Sequence, residues 1–258
     1  MLHTDQIGVS RDQSGNELSA SSSGILGKTR MNLTNPFHSF TGNRSAIVLT
    51  CLSLVAGFAA IIDVKTIAAP AVVHAAGNLA DGWSVRADSG TGADNKLTME
   101  GNAFHFVTGG PPSSNGTYFN PAWTATGNHT FSATLTQNVK ATHPDAYGLM
   151  FGGANLADDN QTYTYFEVRQ AGEFYIATRK GAVVTAVVPW TKNAAIKAEG
   201  ADGKQSNNLS VQVNGANVIF SVNGTEVNRQ PASAVQVNGL FGFRVCHRLD
   251  ITVTDVKK

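Results

Sequence analysis

Cysteine is nearly absent from this sequence, with only Cys51 and Cys246 among 258 residues. Cys51 lies in an apolar N-terminal segment, so the predicted folded region keeps one cysteine and forms no internal disulfide. An excess of positive charge is also missing. The net charge is +1, and residues 77–258 carry 14 basic and 14 acidic side chains. A nucleic-acid-binding surface needs a clear excess of Lys and Arg, so no nucleic acid is expected as a partner.

A sustained helical period is missing as well, beyond about one turn at 193–199. The sequence has no internal repeat of fixed period, which argues against a propeller or a solenoid. No serine stands in a Gly-x-Ser-x-Gly motif, so a nucleophile-elbow hydrolase is not expected. The stretch SGTGADNKLT lacks the Gly-Lys-Ser/Thr ending of a phosphate loop and is interpreted as a turn. No cofactor is predicted.

The longest apolar run, 46–62, contains no charged residue. Its length falls between a signal-peptide core and a membrane-spanning helix of about 20 residues, so a cleaved signal and a retained anchor both stay open. Small residues before the bond favour a cut after Ala75 or Ala76. The predicted organisation is a polar leader at 1–45, a signal peptide or membrane anchor at 46–76, and a β-sandwich at 77–258. Translation is expected to start at Met31.

Both alternatives place the folded region outside the cytoplasm, in the periplasm or the extracellular space. Membrane contact is expected only through the N-terminal segment, and only if it is not cleaved.

Apolar residues alternate with period two in almost every stretch after residue 77, which is typical of half-buried strands. The clearest example is NLSVQVNGANVIFSVNGTEV, where Leu209, Val211 and Val213 alternate with polar residues before an Asn214-Gly215 turn signal. Many antiparallel strands in about 180 residues must close into a barrel or pack as two sheets. We predict an all-β sandwich.

The stretch TYTYFEVRQAGEFYIATRKG predicts a hairpin with a three-residue loop that ends at Gly172. This register pairs Arg169 with Glu173 and Glu167 with Tyr175, and it separates an apolar face from a polar, aromatic one. Glu173 is expected to be structural or solvated because it is paired with Arg169. The hairpin itself offers no apolar pocket that would raise a carboxyl pKa for general acid catalysis.

Five segments resemble a known superfamily: YGLMFGG, YTYFEVRQAGEF, VVPWT, NNLSVQVNGANVIFSVNG and GLFGFRV. Together they are similar to the concanavalin A-like lectin/glucanase superfamily, in particular its secreted bacterial branch that resembles 3-keto-disaccharide hydrolases. The resemblance implies a jelly-roll sandwich of two antiparallel sheets, one with a concave glycan-facing surface. The Glu-x-Asp-x-x-Glu triad of laminarinase-type members is absent, so no catalytic residue is assigned.

The first hypothesis is a non-catalytic carbohydrate-binding domain whose partner is a glycan or a small sugar. Alternatives are a hydrolase of a modified (3-keto) disaccharide or glycoside, and a structural or interaction protein of the cell envelope. Aromatic rings cover sugar C–H faces while charged groups bond hydroxyls. The predicted ligand-binding residues are Tyr163, Tyr165, Glu167, Arg169, Tyr175, Arg179 and Trp190. Trp190 either stacks on sugar or closes the edge of the core.

Metal sites have weak support. Asp158, Asp159 and Asn160 offer the oxygen ligands that calcium prefers, without the spacing of a defined calcium loop. Cys246 and His247 are adjacent, which is not the spacing of zinc ligands.

Overall fold

The structure, a computed structural model, describes residues 79–110 and 115–258. The predicted leader, the signal or anchor segment and its cleavage site lie outside the described residues, so those assignments stay predictions. Within the described part of the chain, no helix is long and apolar enough to cross a membrane.

The described residues form strands joined by turns, with a single 3-10 turn at Ala232–Ala234. The first seven strands are β1 (Ser84–Ala87), β2 (Lys96–Glu100), β3 (Ala103–Val107), β4 (Gly116–Ala125), β5 (His129–Gln137), β6 (Ala146–Ala154) and β7 (Thr162–Arg169). The remaining strands are β8 (Glu173–Lys180), β9 (Val183–Lys192), β10 (Gln205–Asn214), β11 (Asn217–Val222), β12 (Thr225–Pro231), β13 (Gly239–Val245) and β14 (Asp250–Lys257).

These strands make two antiparallel sheets of seven strands each. The first sheet has the order β1-β4-β13-β6-β7-β8-β9, and the second has the order β12-β11-β10-β5-β14-β3-β2. Strands that are distant in sequence are neighbours in both sheets, as in a jelly roll. The predicted all-β, jelly-roll sandwich of two antiparallel sheets is therefore confirmed.

The alternating residues explain why the sheets pack against each other. Leu209, Val211 and Val213 of β10 are buried, and they meet Val218 and Phe220 of β11 on the same face. Equivalent alternation in both sheets supplies a core rich in phenylalanine, including Phe106, Phe131, Phe166, Phe174 and Phe243. The core lies between the sheets, so each sheet keeps an outer face.

One turn lies a residue later than its sequence signal. Asn214 pairs with Asn217, so Gly215 and Ala216 form the turn between β10 and β11. Gly215 has a φ of 58°, which glycine adopts at little cost. This register sets Val213 directly opposite Val218, which keeps a buried valine pair next to the turn.

Candidate functional site

The β7–β8 hairpin has the predicted register. Arg169 pairs with Glu173, Glu167 with Tyr175, and Gly172 takes the left-handed conformation with a φ of 73°. Arg169 Nε donates to Glu173 Oε2 over 2.6 Å. The polar and aromatic residues of the hairpin therefore share the outer face of the first sheet, as the sequence indicates.

That face is less exposed than a bare hairpin would be. Tyr163 and Glu167 are 0% and 3% exposed. The seven predicted ligand-binding residues divide into two groups. Tyr163, Tyr165, Glu167 and Arg179 are buried, whereas Arg169, Tyr175 and Trp190 are half-buried at the end toward β9. Only the second group is open to a ligand in this conformation.

Strand register explains the burial. One line of residues crosses six strands on the outer face, and we call it the outer row. It consists of Arg86, Thr117, Arg244, Gly148, Glu167 and Tyr175, each paired with the next. Gly148 has no side chain, so nothing on β6 stands between Arg244 and Glu167. Arg244 Nε consequently lies 3.2 Å from Glu167 Oε1.

Arg244 is the centre of a buried polar network. Its guanidinium donates to Thr117 Oγ1 over 3.0 Å and to the hydroxyl of Tyr163 over 3.1 Å. It also forms an ion pair with Asp88, whose other oxygen is paired with Arg179. Burial alone would raise the pKa of Asp88, but the charges of Arg244 and Arg179 outweigh it and lower that pKa. Asp88 therefore stays ionised and fixes both arginines.

Glu167 has the opposite electrostatic environment. Burial raises its pKa to about 7, because the partial relief from Arg244 does not compensate for lost hydration and the nearby charge of Asp88. Its contact with Arg244 is not aligned as a hydrogen bond, and neither Glu167 Oε1 nor Arg244 Nε has another partner among the described residues. The expectation that Glu167 lacks such an environment is wrong, because strands distant in sequence enclose it.

The half-buried end of the face carries a series of aromatic rings. The rings of Tyr165 and Tyr175 have centroids 5.9 Å apart, and Tyr175 stacks on Trp190 at 5.0 Å with an interplanar angle of 21°. The guanidinium of Arg169 lies 4.2 Å from the Trp190 ring centroid. We call Tyr165, Tyr175 and Trp190 the aromatic ladder. Within the ladder, Trp190 packs on Tyr175. The Arg169 guanidinium lies between the Trp190 ring and the Glu173 carboxylate.

The weak calcium candidates lie in the β6–β7 loop. Asp159 is paired with Arg86 at 3.4 Å and has a side chain that is 60% exposed. Asp158 Oδ1 accepts a hydrogen bond from the backbone of Asn160, which closes a local turn. Both carboxylates therefore have partners of their own, and these residues remain weak calcium candidates.

An open cavity of about 500 Å³ lies apart from the outer face of the β7–β8 hairpin. Its lining residues include Leu79, Trp83, Met99 and Phe104. None of the seven predicted ligand-binding residues lines it. The cavity begins next to residues outside the described range, so the outer face of the first sheet is the better-defined site.

Asp88, Thr117, Gly148 and Arg244 were not identified from the sequence. Gly148 and Arg244 stand in segments that carry the family resemblance, but no motif marks either as a site residue, and the four residues meet only because β4 and β13 lie between β1 and β6. The segment GLFGFRV contained one usable signal. Arg244 is a charged residue flanked by the core residues Phe243 and Val245, so the alternation places it on the outer face.

No protein-family model and no curated protein matches the sequence. Among solved structures, the chain is similar to a carbohydrate-binding module from Bacillus subtilis, with 12% identity and a TM-score of 0.50 over 68% of this chain and 93% of that chain. A galectin-like-fold protein of unknown function from Bacillus subtilis gives 12% identity and a TM-score of 0.48 over 67% and 87% of the two chains. A family 16 endo-glucanase from Bacteroides ovatus gives 9% identity and a TM-score of 0.46, over 66% of this chain and 92% of that chain.

Of these three structures, only the carbohydrate-binding module reaches a TM-score of 0.50, and its likeness supports the jelly-roll fold alone. Their sequence identities are too low to assign an activity, because this fold serves unrelated functions. The narrower likeness to 3-keto-disaccharide hydrolases stays a prediction.

Proposed function

We propose that this protein is an exported carbohydrate-binding domain that holds a glycan or a small sugar on the outer face of its first sheet. The observation that carries the proposal is the aromatic ladder, which ends in half-buried rings beside charged side chains. The resemblance of the fold to a carbohydrate-binding module supports it.

Sugar recognition needs flat apolar surface for C–H groups and directional partners for hydroxyls. Tyr175 and Trp190 supply the apolar surface, while Arg169 and Glu173 supply a donor and an acceptor within the same end of the face. The Arg169–Glu173 pair and the contact of Arg169 with the indole hold these groups in place before a ligand arrives. Such preorganisation lowers the entropic cost of binding.

The buried part of the face has a supporting role in this proposal. Asp88 and Arg244 fix the positions of β1, β4 and β13 relative to β7, on which the ladder begins. Tyr165 joins this network to the ladder, because the Arg244 guanidinium lies 4.9 Å from its ring centroid. The half-buried rings therefore stand on a rigid base.

A glycan array probed with the full chain tests the proposal, followed by titration of each glycan that binds. The expected result is specific binding to a limited set of glycans that Trp190→Ala abolishes or weakens. Absence of glycan binding, or binding that Trp190→Ala and Tyr175→Ala leave unchanged, would contradict it.

A second candidate is a hydrolase of a modified disaccharide or glycoside, and the opposed environments of Glu167 and Asp88 favour it. A carboxyl with a raised pKa can donate a proton near neutral pH, and a carboxylate with a lowered pKa can stabilise positive charge. Against this, the carboxylates of Asp88 and Glu167 both contact the Arg244 guanidinium in the present conformation. Release of reducing sugar from any bound glycan, lost in Glu167→Gln, would select the hydrolase; binding without release would select the binding domain.

A further inference from the structure

Two histidines meet an aspartate where β6 begins and β13 ends. The two strands pair antiparallel with Val245 opposite Tyr147, and the Cys246 backbone extends the ladder by donating to Ala146 over 2.9 Å. The next residues, His247 and Asp145, consequently face each other across the strand ends. His143 lies two residues before Asp145 and turns back onto it. Sequence spacing gives no sign of this meeting, because about 100 residues separate the two histidines.

Each imidazole has an oxygen acceptor at its Nδ1 atom. His143 Nδ1 lies 3.1 Å from Asp145 Oδ2. His247 Nδ1 lies 3.3 Å from Asn115 Oδ1 and 3.6 Å from Asp145 Oδ1. The Asn115 side chain also bonds to the Asp88 carboxylate, which can only accept, so its NH₂ group is committed there and its oxygen faces the histidine.

These contacts fix the tautomers of both rings. A nitrogen that faces an acceptor carries the proton, so both Nδ1 atoms are protonated. A neutral imidazole has only one N–H group, which leaves a lone pair on each Nε2 atom. The two Nε2 atoms lie 3.1 Å apart. Two lone pairs at this distance repel each other unless a metal ion or a proton lies between them.

We propose that His143 and His247 bind one divalent transition-metal ion of the zinc and copper class through their Nε2 atoms. Imidazole nitrogen is a preferred ligand of these metals. Bonds of about 2.0–2.1 Å at the tetrahedral angle place two ligand atoms about 3.3–3.4 Å apart, and the observed 3.1 Å corresponds to a slightly narrower angle of about 100°.

Asp145 serves this site as the outer partner that orients both rings. A carboxylate on the far nitrogen of a metal-bound histidine fixes its tautomer and increases its basicity. The Asp145 side chain is 7% exposed, whereas those of His143 and His247 are 38% and 22% exposed. The carboxylate is thus held inside while the histidines remain accessible to an ion, and water completes the coordination. The same three residues offer ligand atoms within 4.8 Å of one another.

Calorimetric titration with zinc chloride tests this site in the full chain, prepared without a polyhistidine tag and freed of metal by chelation and dialysis. One ion per chain is expected. His143→Asn and His247→Asn should each weaken binding at least about tenfold, and Asp145→Asn should weaken it about 10–100-fold, as outer partners do. The matched control is His129→Asn, since that histidine contacts the carbonyl of Gly127 and is not part of this cluster; it should leave the affinity unchanged.

Electron paramagnetic resonance of the wild-type chain with one equivalent of Cu²⁺ gives a readout that does not depend on variant folding. Coupling to two imidazole nitrogens is expected, and its absence would overturn the proposal. Zinc binding that is equal in wild type and a folded His143→Asn/His247→Asn double variant would overturn it as well. In that case a shared proton on one ring is what relieves the repulsion.

Discussion

At the scale of single residues, the most informative position is Glu167. It contacts the same guanidinium as Asp88, yet the two carboxyl pKa values move in opposite directions. Asp88 receives two arginines and is partly hydrated, whereas Glu167 has one poorly aligned contact in a drier environment. A buried carboxyl of this kind must affect how stability depends on pH.

The pKa of Glu167 is about 7 in the folded chain and about 4.5 in the unfolded chain. The folded state therefore binds the Glu167 proton more tightly than the unfolded state does. The contribution of protonated Glu167 to the free energy of unfolding is complete below pH 4.5 and is lost as the pH rises through 7. This pKa shift corresponds to a loss of up to about 3 kcal/mol in the free energy of unfolding. We expect Glu167→Gln to remove this pH dependence, as measured by urea unfolding at pH 5 and pH 8.

Glu173→Gln is the matched control, because Glu173 lies on the same hairpin in a half-exposed pair worth at most about 1 kcal/mol. It should keep the wild-type slope of stability against pH. A Glu167→Gln variant with an unchanged slope would show that Glu167 is ionised throughout.

At the scale of elements, the two faces of the β7–β8 hairpin have different roles: one contributes to stability and the other to the proposed binding. Phe174 and Tyr175 are neighbours, but Phe174 is 1% exposed in the main core and Tyr175 belongs to the aromatic ladder. Phe174→Ala should lower the free energy of unfolding by about 3–5 kcal/mol through the cavity it leaves. Tyr175→Ala should cost much less. Denaturant melts of both variants measure this, and the reverse order would mean that the two faces are assigned the wrong way round.

The hairpin could be predicted from sequence because its register depends on local information. Alternation, the charge pair at Arg169 and Glu173, and a glycine at the left-handed position all indicate one pairing. The enclosure of Glu167 could not, because it requires Arg244 from a strand almost 80 residues later and the order β13-β6-β7 in the sheet. Periodicity assigns a face to each strand but does not give strand order. The meeting of His143 with His247 was missed for the same reason.

At the scale of the whole molecule, the balanced charge of residues 77–258 gives no electrostatic preference for a polyanionic partner. The sequence also predicts export. If the segment 46–76 is a cleaved signal, the mature chain should begin at Ala76 or Gly77, and mass spectrometry of the product secreted by its native host should find that terminus. A chain that keeps this segment and sediments with membranes would instead indicate an anchor.

The central claim is that the half-buried end of the aromatic ladder binds sugar. Isothermal titration of the best glycan from the array tests it with Trp190→Ala, Tyr175→Ala and the control Ile219→Ala, which alters a half-buried residue of the second sheet. We predict that the first two variants lose about tenfold or more in affinity, equal to about 1.4 kcal/mol, and that the control keeps the wild-type affinity. Equal affinities in all four proteins would contradict the claim and place the glycan elsewhere.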